Sequence, residues 1–238
     1  FSGRQMPDSI RQYAGQTGAE LLVAGEDFSI QRRADGWDLA VGDRVRRSLP
    51  LPAMRGSVQI QNAAGVLVAL DCLSERLPLD QRAVRTGLLS AGLPGRFEVR
   101  PGVPTWVLDV AHNPQAAAVL NDLLGDYFTR GRVIAVCGML ADKDAPGVAA
   151  SLAGRFDAWH FVDLSAQPRG LTAQRLGELM APQLAEVPVY FGSGVGETLE
   201  NIAAGAAHDD LVVVFGSFLT VAAALAWLER RATAANKV

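Results

Sequence analysis

Lysine is nearly missing from this chain: of 22 basic residues only Lys143 and Lys237 are lysines, and the others are arginines. Cysteine is equally scarce. Cys72 and Cys137 stand alone with no C-x-x-C spacing, which argues against a disulfide or a metal site and predicts two buried free thiols. No apolar run is long and uninterrupted enough to span a bilayer. No run of like charge occurs, and a formal net charge of −3 excludes a polyelectrolyte partner such as nucleic acid. The pattern G-x-x-x-x-G-K-[ST] is missing, so the main cradle for a nucleoside triphosphate is not in this chain. No G-x-S-x-G elbow surrounds Ser217, so it is not read as a hydrolase nucleophile. Phe1 is not a natural start, and the first 25 residues read as the tail of something already begun, so a missing signal peptide carries no weight. These exclusions favour a soluble cytoplasmic protein with no membrane partner.

What is present is enough apolar residue, 49% of 238, for one large domain or one and a half. Pro7-Asp8-Ser9 caps a short helix through Gln16, and Glu20–Ala24 reads as a strand. Phe28–Arg32, Trp37–Val41 and Arg44–Leu49 alternate apolar and polar residues around turns at Ala34-Asp35-Gly36 and Gly42-Asp43. That is the pattern of a small antiparallel meander. Gly56–Leu73 is helical, with Asn62 near its start, and a second helix runs from Leu79-Asp80-Gln81 to about Ser90. Ala91-Gly92-Leu93-Pro94-Gly95 breaks it. The boundary lies between about Leu77 and Gly92, and the chain is divided into residues 1–85 and 86–238.

From Thr105 onward strands and helices alternate. Strands are expected at Thr105–Leu108, Val133–Cys137, Ala158–Val162, Val187–Phe191 and Leu211–Phe215. Helices are expected at Pro114–Tyr127, Ala145–Leu152, Thr172–Met180, Val195–Ala207 and Leu219–Arg231. This is an α/β pattern, a Rossmann-like and mostly parallel sheet with helices on both faces, preceded by a partial domain holding the meander. Right-handed crossovers put every loop that follows a strand on one edge. Asp109, His112, Lys143, Asp163 and Ser217 all follow strands and are expected to converge there.

The centre of the pattern is Asp109-Val110-Ala111-His112-Asn113-Pro114-Gln115-Ala116-Ala117. Asn113 is a good N-cap, and Pro114 at the first helical position sacrifices only an N–H that would be unpaired anyway. A carboxylate and an imidazole beside a helix N-terminus suit a nucleotide sugar, a bound cation or a polyanion, or else simply tie down a turn. Lys143, between Asp142 and Asp144, marks either a place where an ammonium is required or an accident of composition. The Gly192–Gly196 loop lacks the lysine of a phosphate cradle. His160 and His208 have no chemical company and are read as ordinary residues.

D-x-A-H-N-P-x-A-A resembles the signature of the folylpolyglutamate synthase and dihydrofolate synthase family, within the Mur ligase superfamily. Four further segments match in order: Gln59–Ala63, Leu93–Glu98, Gly138–Asp144 and Phe215–Val221. The five lie in register over a span of about 160 residues. The resemblance is to the C-terminal half of such enzymes, whose ATP-binding domain carries the P-loop. It implies an ATP-dependent amide ligase that works through an acyl phosphate and adds L-glutamate to dihydropteroate or to a folate's glutamate tail. It implies ATP and Mg2+ as cofactors, with the main phosphate and metal site outside this chain, no metal ligands here, and a full-length enzyme that is monomeric. Residues 1–85 would be a remnant of the central domain, and the chain alone would be inactive. By resemblance Asn62, Arg96, Asp109 and His112 bind the nucleotide, Lys143, Asp144 and Ser217 bind the incoming amino acid, and His112 and Lys143 are catalytic. The family's histidine before Gln59 is Val58 here, which departs from the pattern around Asn62. Related alternatives are a peptidoglycan-precursor Mur ligase, a cyanophycin-type ligase, or a non-catalytic α/β binding module.

Overall fold

In the computed structural model residues 1–3, 6–127, 129–184 and 186–235 are described. The chain divides into two units, Phe1–Gly92 and Leu93–Val238. The first begins with α1 (Asp8–Thr17), a helix with no buried residue. The meander follows as β1 (Phe28–Arg33), β2 (Gly36–Val41) and β3 (Arg44–Leu49), paired antiparallel in that order. Two helices, α2 (Ser57–Cys72) and α3 (Gln81–Ser90), complete the unit. Their apolar stripes, Ile60, Ala64, Leu67, Val68, Val84 and Leu88, share one core with Phe28, Trp37, Leu39 and Leu49 of the sheet.

Three expectations are corrected here. Among the described residues Glu20–Ala24 forms no strand: Ala24 makes a single bridge, to Phe28, and donates its N–H to the Phe1 carbonyl, while the Val23 N–H goes to the Asp27 carboxylate instead of a ladder. Cys72 is exposed rather than buried, since the last turn of α2 runs past the packed stripe and leaves Leu73 exposed too. A division after residue 85 would cut α3, yet Asp80 caps that helix through the Ala83 N–H and Val84 and Leu88 pack in the first core. The division therefore falls after Gly92.

The second unit holds β4 (Glu98–Arg100), β5 (Thr105–Leu108), α4 (Pro114–Gly125), β6 (Val133–Cys137), α5 (Ala145–Ser151), β7 (Ala158–Val162), α6 (Ala173–Met180), β8 (Val189–Gly192), α7 (Val195–Gly205), β9 (Leu211–Phe215) and α8 (Phe218–Ala235). The sheet order is β4-β5-β9-β6-β7-β8, with β4 antiparallel at one edge and every other pair parallel. All five residues of β9 are buried, as a strand covered on both faces must be. Burying each such Val, Leu or Phe contributes about 1.5–3 kcal/mol.

Chain direction sets which face each helix takes. From β5 to β8 the chain steps one way across the sheet, so right-handed crossovers leave α4, α5 and α6 on one face, packed successively on one another. From β8 it returns to insert β9 between β5 and β6, which sends α7 and α8 to the other face. The two faces carry separate cores, one around Leu120, Trp159, Phe161 and Leu176, the other around Leu108, Val195, Leu199 and Trp227. Where the direction reverses, α4 and α8 leave neighbouring strands for opposite faces. Open α/β sheets bind ligands at such a point, beyond the carboxyl ends of the strands.

Candidate functional site

Three loops meet at that reversal, those after β5, β9 and β6, and hydrogen bonds join them. Gly216 N–H donates to the Ala111 carbonyl at 3.0 Å, and Gly138 N–H to the Phe215 carbonyl at 3.3 Å. Gly216 has φ +106°, and a Cβ there would lie 2.6 Å from the Gly138 carbonyl oxygen, so only glycine fits. The starts of α4 and α5 also touch: a Cβ on Gly147 would lie 2.7 Å from Pro114 Cγ.

Asp109 stands at the end of β5, and both its oxygens are engaged. Oδ2 accepts the Phe97 N–H and Oδ1 the Ala111 N–H, each at 2.8 Å. Burial pushes its carboxyl above the ordinary value, against those two bonds and the nearby Arg96 charge. Asp109 thus braces the Pro94–Phe97 turn against the β5 turn, and so fixes the backbone that carries Arg96.

His112 follows two residues after Val110, whose carbonyl oxygen lies 2.8 Å from Nδ1. A carbonyl only accepts, so Nδ1 donates to it and Nε2 is the ring nitrogen left for another partner. Asn113 caps α4 by accepting the Ala116 N–H at 2.8 Å, and Pro114 is in the first turn, as its sequence requires. Lys143 lies after β6, partly exposed, with Nζ 3.3 Å from Asp142. Asp144 caps α5 by accepting the Gly147 N–H at 2.9 Å.

Ser217 has a different task from the one its motif implied. Its Oγ accepts the Thr220 N–H at 3.0 Å and lies 2.7 Å from Thr220 Oγ1. Thr220 Oγ1 donates its only proton to the Gly138 carbonyl at 2.9 Å, so Ser217 must donate to Thr220. Its proton is spent inside the chain and the side chain is buried. As folded, Ser217 caps the first turn of α8 and has no hydroxyl hydrogen left for a substrate carboxylate. Asp163 is likewise used locally, accepting from Ser165 and from the Ala173 N–H at the start of α6.

The residue that sequence reading missed is Phe218. It opens α8 with 60% of its surface exposed. The Arg96 guanidinium lies 5.9 Å from its ring centre and the His112 ring 6.0 Å away on a tilted plane. This leaves a large exposed aromatic between two nitrogen-bearing groups at the sheet reversal. The only sequence signal was a phenylalanine beside Gly216-Ser217 in place of a core residue. Asn62 belongs to the first unit, on the exposed side of α2, where its amide donates to Gln59 at 3.2 Å.

Arg96, His112 and Phe218 together can hold a phosphate and a sugar or ring. Among the described residues no group of three His, Cys, Asp or Glu side chains is placed to hold a metal ion. Among them, too, no helix is long and apolar enough to cross a membrane.

The family described as Mur ligase, glutamate ligase domain, matches residues 95–218, the stretch that holds the parallel sheet and its Arg–Phe–His cluster at the reversal. The chain belongs to the dihydrofolate synthase/folylpolyglutamate synthase family of these ligases. It is 34% identical over 232 residues to the dihydrofolate synthase/folylpolyglutamate synthase of Escherichia coli K12, covering 95% of this chain and 51% of that protein. With the Mycobacterium tuberculosis protein of the same name it shares 28% over 250 residues, covering 93% and 50%. The structure of E. coli FolC in complex with DHPP and ADP superposes with a TM-score of 0.83 at 33% identity, over 97% of this chain and 52% of that one. A bifunctional folylpolyglutamate synthase/dihydrofolate synthase with Mn, AMPPNP and L-glutamate bound gives 0.81 at 37% identity, over 96% and 52%. The chain spans about half the length of the curated relatives it matches.

Proposed function

We propose that this chain is the glutamate-ligase portion of an ATP-dependent amide ligase, one that adds L-glutamate to dihydropteroate, to a folate's glutamate tail, or to both. The observation that carries the reading is the convergence of Arg96, His112 and Phe218 with the Lys143 loop on one edge of a parallel sheet. Such a reaction needs no side-chain nucleophile. The carboxylate to be extended takes the γ-phosphoryl group of ATP, and the amine of the incoming amino acid then displaces phosphate from the acyl phosphate. The protein's part is positioning and charge neutralisation.

In this scheme Arg96, a planar multi-donor cation, neutralises phosphate. The Nε2 of His112 orients the nucleotide, and Phe218 walls the site. Asp109 acts one step back, through the turn that carries Arg96. Lys143 pairs with a carboxylate of the incoming amino acid, and Asp144 sets the start of α5 beside it. The two relatives crystallised with DHPP and ADP, and with Mn, AMPPNP and L-glutamate, support these substrate classes. ATP as Mg2+–ATP would have its phosphate cradle and metal outside this chain, which would be monomeric and cytoplasmic in its full enzyme. Residues 1–92 would then belong to the central domain of that enzyme.

The test is a kinetic series on the complete ligase carrying this chain, varying glutamate and ATP separately, with dihydropteroate and a reduced folate as acceptors. Lys143→Ala should lower kcat/KM for glutamate by about ten- to a hundredfold, the range for hydrogen bonds to charged groups. The KM for ATP should stay nearly constant. The isolated 238-residue chain should turn over neither acceptor. Equal losses for glutamate and ATP would place Lys143 in the wrong half of the site, and no glutamate incorporation into either acceptor would refute the reading.

A further inference from the structure

Beyond Lys143, the loop after β6 is tied to the loop after β7 by a carboxylate with two cations on it. Asp142 Oδ2 lies 3.3 Å from Lys143 Nζ and 3.0 Å from Arg169 Nη1. The backbones are stitched as well. Ala141 N–H donates to the Arg169 carbonyl at 2.7 Å, Leu171 N–H donates to the Met139 carbonyl at 3.1 Å, and Leu140 and Gly170 form an antiparallel bridge. Arg169 itself has φ +63°, a left-handed conformation that a non-glycine residue keeps only where the surroundings impose it. The result presents two cations, on different loops, at the ligand edge of the sheet.

The charges do not balance. One carboxylate oxygen faces an ammonium and a guanidinium, so within these two pairs a single anion is shared by two cations. All three side chains reach solvent: 31% of Lys143, 39% of Asp142 and 64% of Arg169 is exposed. Such exposed ion pairs contribute little to stability, so stability alone gives no reason to gather them here. Partial desolvation raises the Asp142 carboxyl, yet Lys143, its own backbone N–H and the Arg169 charge together hold it below its ordinary value. Asp142 is therefore an anion at neutral pH.

We propose that Lys143 and Arg169 form a two-cation subsite for a dicarboxylate amino acid, and that Asp142 occupies it in place of the substrate until the substrate's carboxylates arrive. The inference rests on the ligase reading above. It assigns Arg169 a part in selecting the incoming amino acid, and it makes Asp142 an internal competitor. A substrate with two carboxylates takes one cation with each. A substrate with one carboxylate gains only one pairing and must still displace Asp142. Discrimination between glutamate and glutamine follows from that difference. Only binding contacts change, so no bond is made or broken at this cluster.

The two roles require opposite signs, which a merely structural ion cluster would not produce. In the complete ligase, Arg169→Gln should raise the glutamate KM by about ten- to a hundredfold. It should also shrink the preference for glutamate over glutamine, with the ATP KM and the melting temperature little changed. Arg169→Lys should recover part of the loss. Asp142→Asn should lower the glutamate KM, because the competing anion is gone. Arg175→Gln, at an exposed pair with Glu178 on α6, serves as the control and should leave both values alone. An unchanged glutamate KM and preference in Arg169→Gln would overturn the subsite. So would equal losses in Arg169→Gln and Asp142→Asn with a falling melting temperature, which would mark a structural clamp. Absence of glutamate-dependent turnover in the unsubstituted enzyme would refute the ligase reading and the subsite with it. Normal turnover with unaltered preference in Arg169→Gln would refute the subsite alone.

Discussion

Asp109 holds Phe97 and Ala111 at once, one backbone N–H on each carboxylate oxygen at 2.8 Å. The bracket spans two turns that are 14 residues apart along the chain, from Phe97 to Ala111, and leaves Arg96 beside Phe218. Asp109→Asn keeps the shape but replaces one acceptor with a donor that faces an N–H. Losing one such bond in a mostly buried place should cost about 1–3 kcal/mol. The melting temperature should fall and the ATP KM of the complete ligase should rise together. A variant with altered nucleotide binding and unchanged melting would mean that the carboxylate touches the ligand directly.

Phe218 gives the reverse pattern. Its ring is exposed and packs in no core, so Phe218→Ala should leave stability within about 0.5 kcal/mol of the parent. A nucleotide packed on the ring would lose an aromatic contact on the order of 0.5–1.5 kcal/mol, a few-fold to about tenfold change in its affinity. Thermal melting paired with ATP titration checks both. A large loss of stability would mean that the ring is part of the fold rather than of the site.

Ser217 separates capping from substrate contact. Ser217→Ala removes an N-cap and should cost about 0.5–2 kcal/mol of stability. The Thr220 hydroxyl keeps its bond to Gly138, and the glutamate KM should move little. A rise of tenfold or more in that KM with unchanged melting would restore Ser217 to the substrate site.

At the opposite edge of the sheet, Asp210 accepts from the Arg132 N–H at 2.9 Å, the Ala207 N–H at 2.9 Å and the Arg132 guanidinium at 2.6 Å. Burial raises its carboxyl, but these bonds and the Arg132 charge outweigh burial and hold it below its ordinary value of 3.8. The folded carboxyl is thus the stronger acid. Its contribution is fully present above pH 3.8 and is lost as the pH falls through the lower folded value. Asp210→Asn should lower stability at neutral pH by about 1–3 kcal/mol and flatten the acid limb of the stability curve. Chemical denaturation between neutral pH and pH 3 measures both, and parallel curves for parent and variant would rule out this contribution.

Much of the fold was legible in the sequence, and the reasons lie in particular residues. Thr105–Leu108, Val133–Cys137, Ala158–Val162 and Leu211–Phe215 are strands with the expected bounds, because short apolar runs between turn residues have few other options. Val187–Phe191 shifted to Val189–Gly192 because an edge strand pairs on one side only, and its ends follow the partner β7. The Asn113-Pro114 start of α4 was local chemistry and held.

What the sequence determined by itself is therefore the local order of the chain: the alternation of strand and helix, the cap at Asn113, the helix start at Asp80-Gln81, and the placing of Asp109, His112 and Lys143 after strands. Only the tertiary structure decided which loops became neighbours and what each polar group spends its hydrogen bonds on. β9 inserts between β5 and β6, and that choice brings Phe218 to Arg96 and His112 and binds the hydroxyl of Ser217 inside the turn. The physical reason is that strand order, hydrogen-bond partners and the Asp142 pairing with Arg169 are set by contacts between residues far apart in the chain, and no local propensity encodes them.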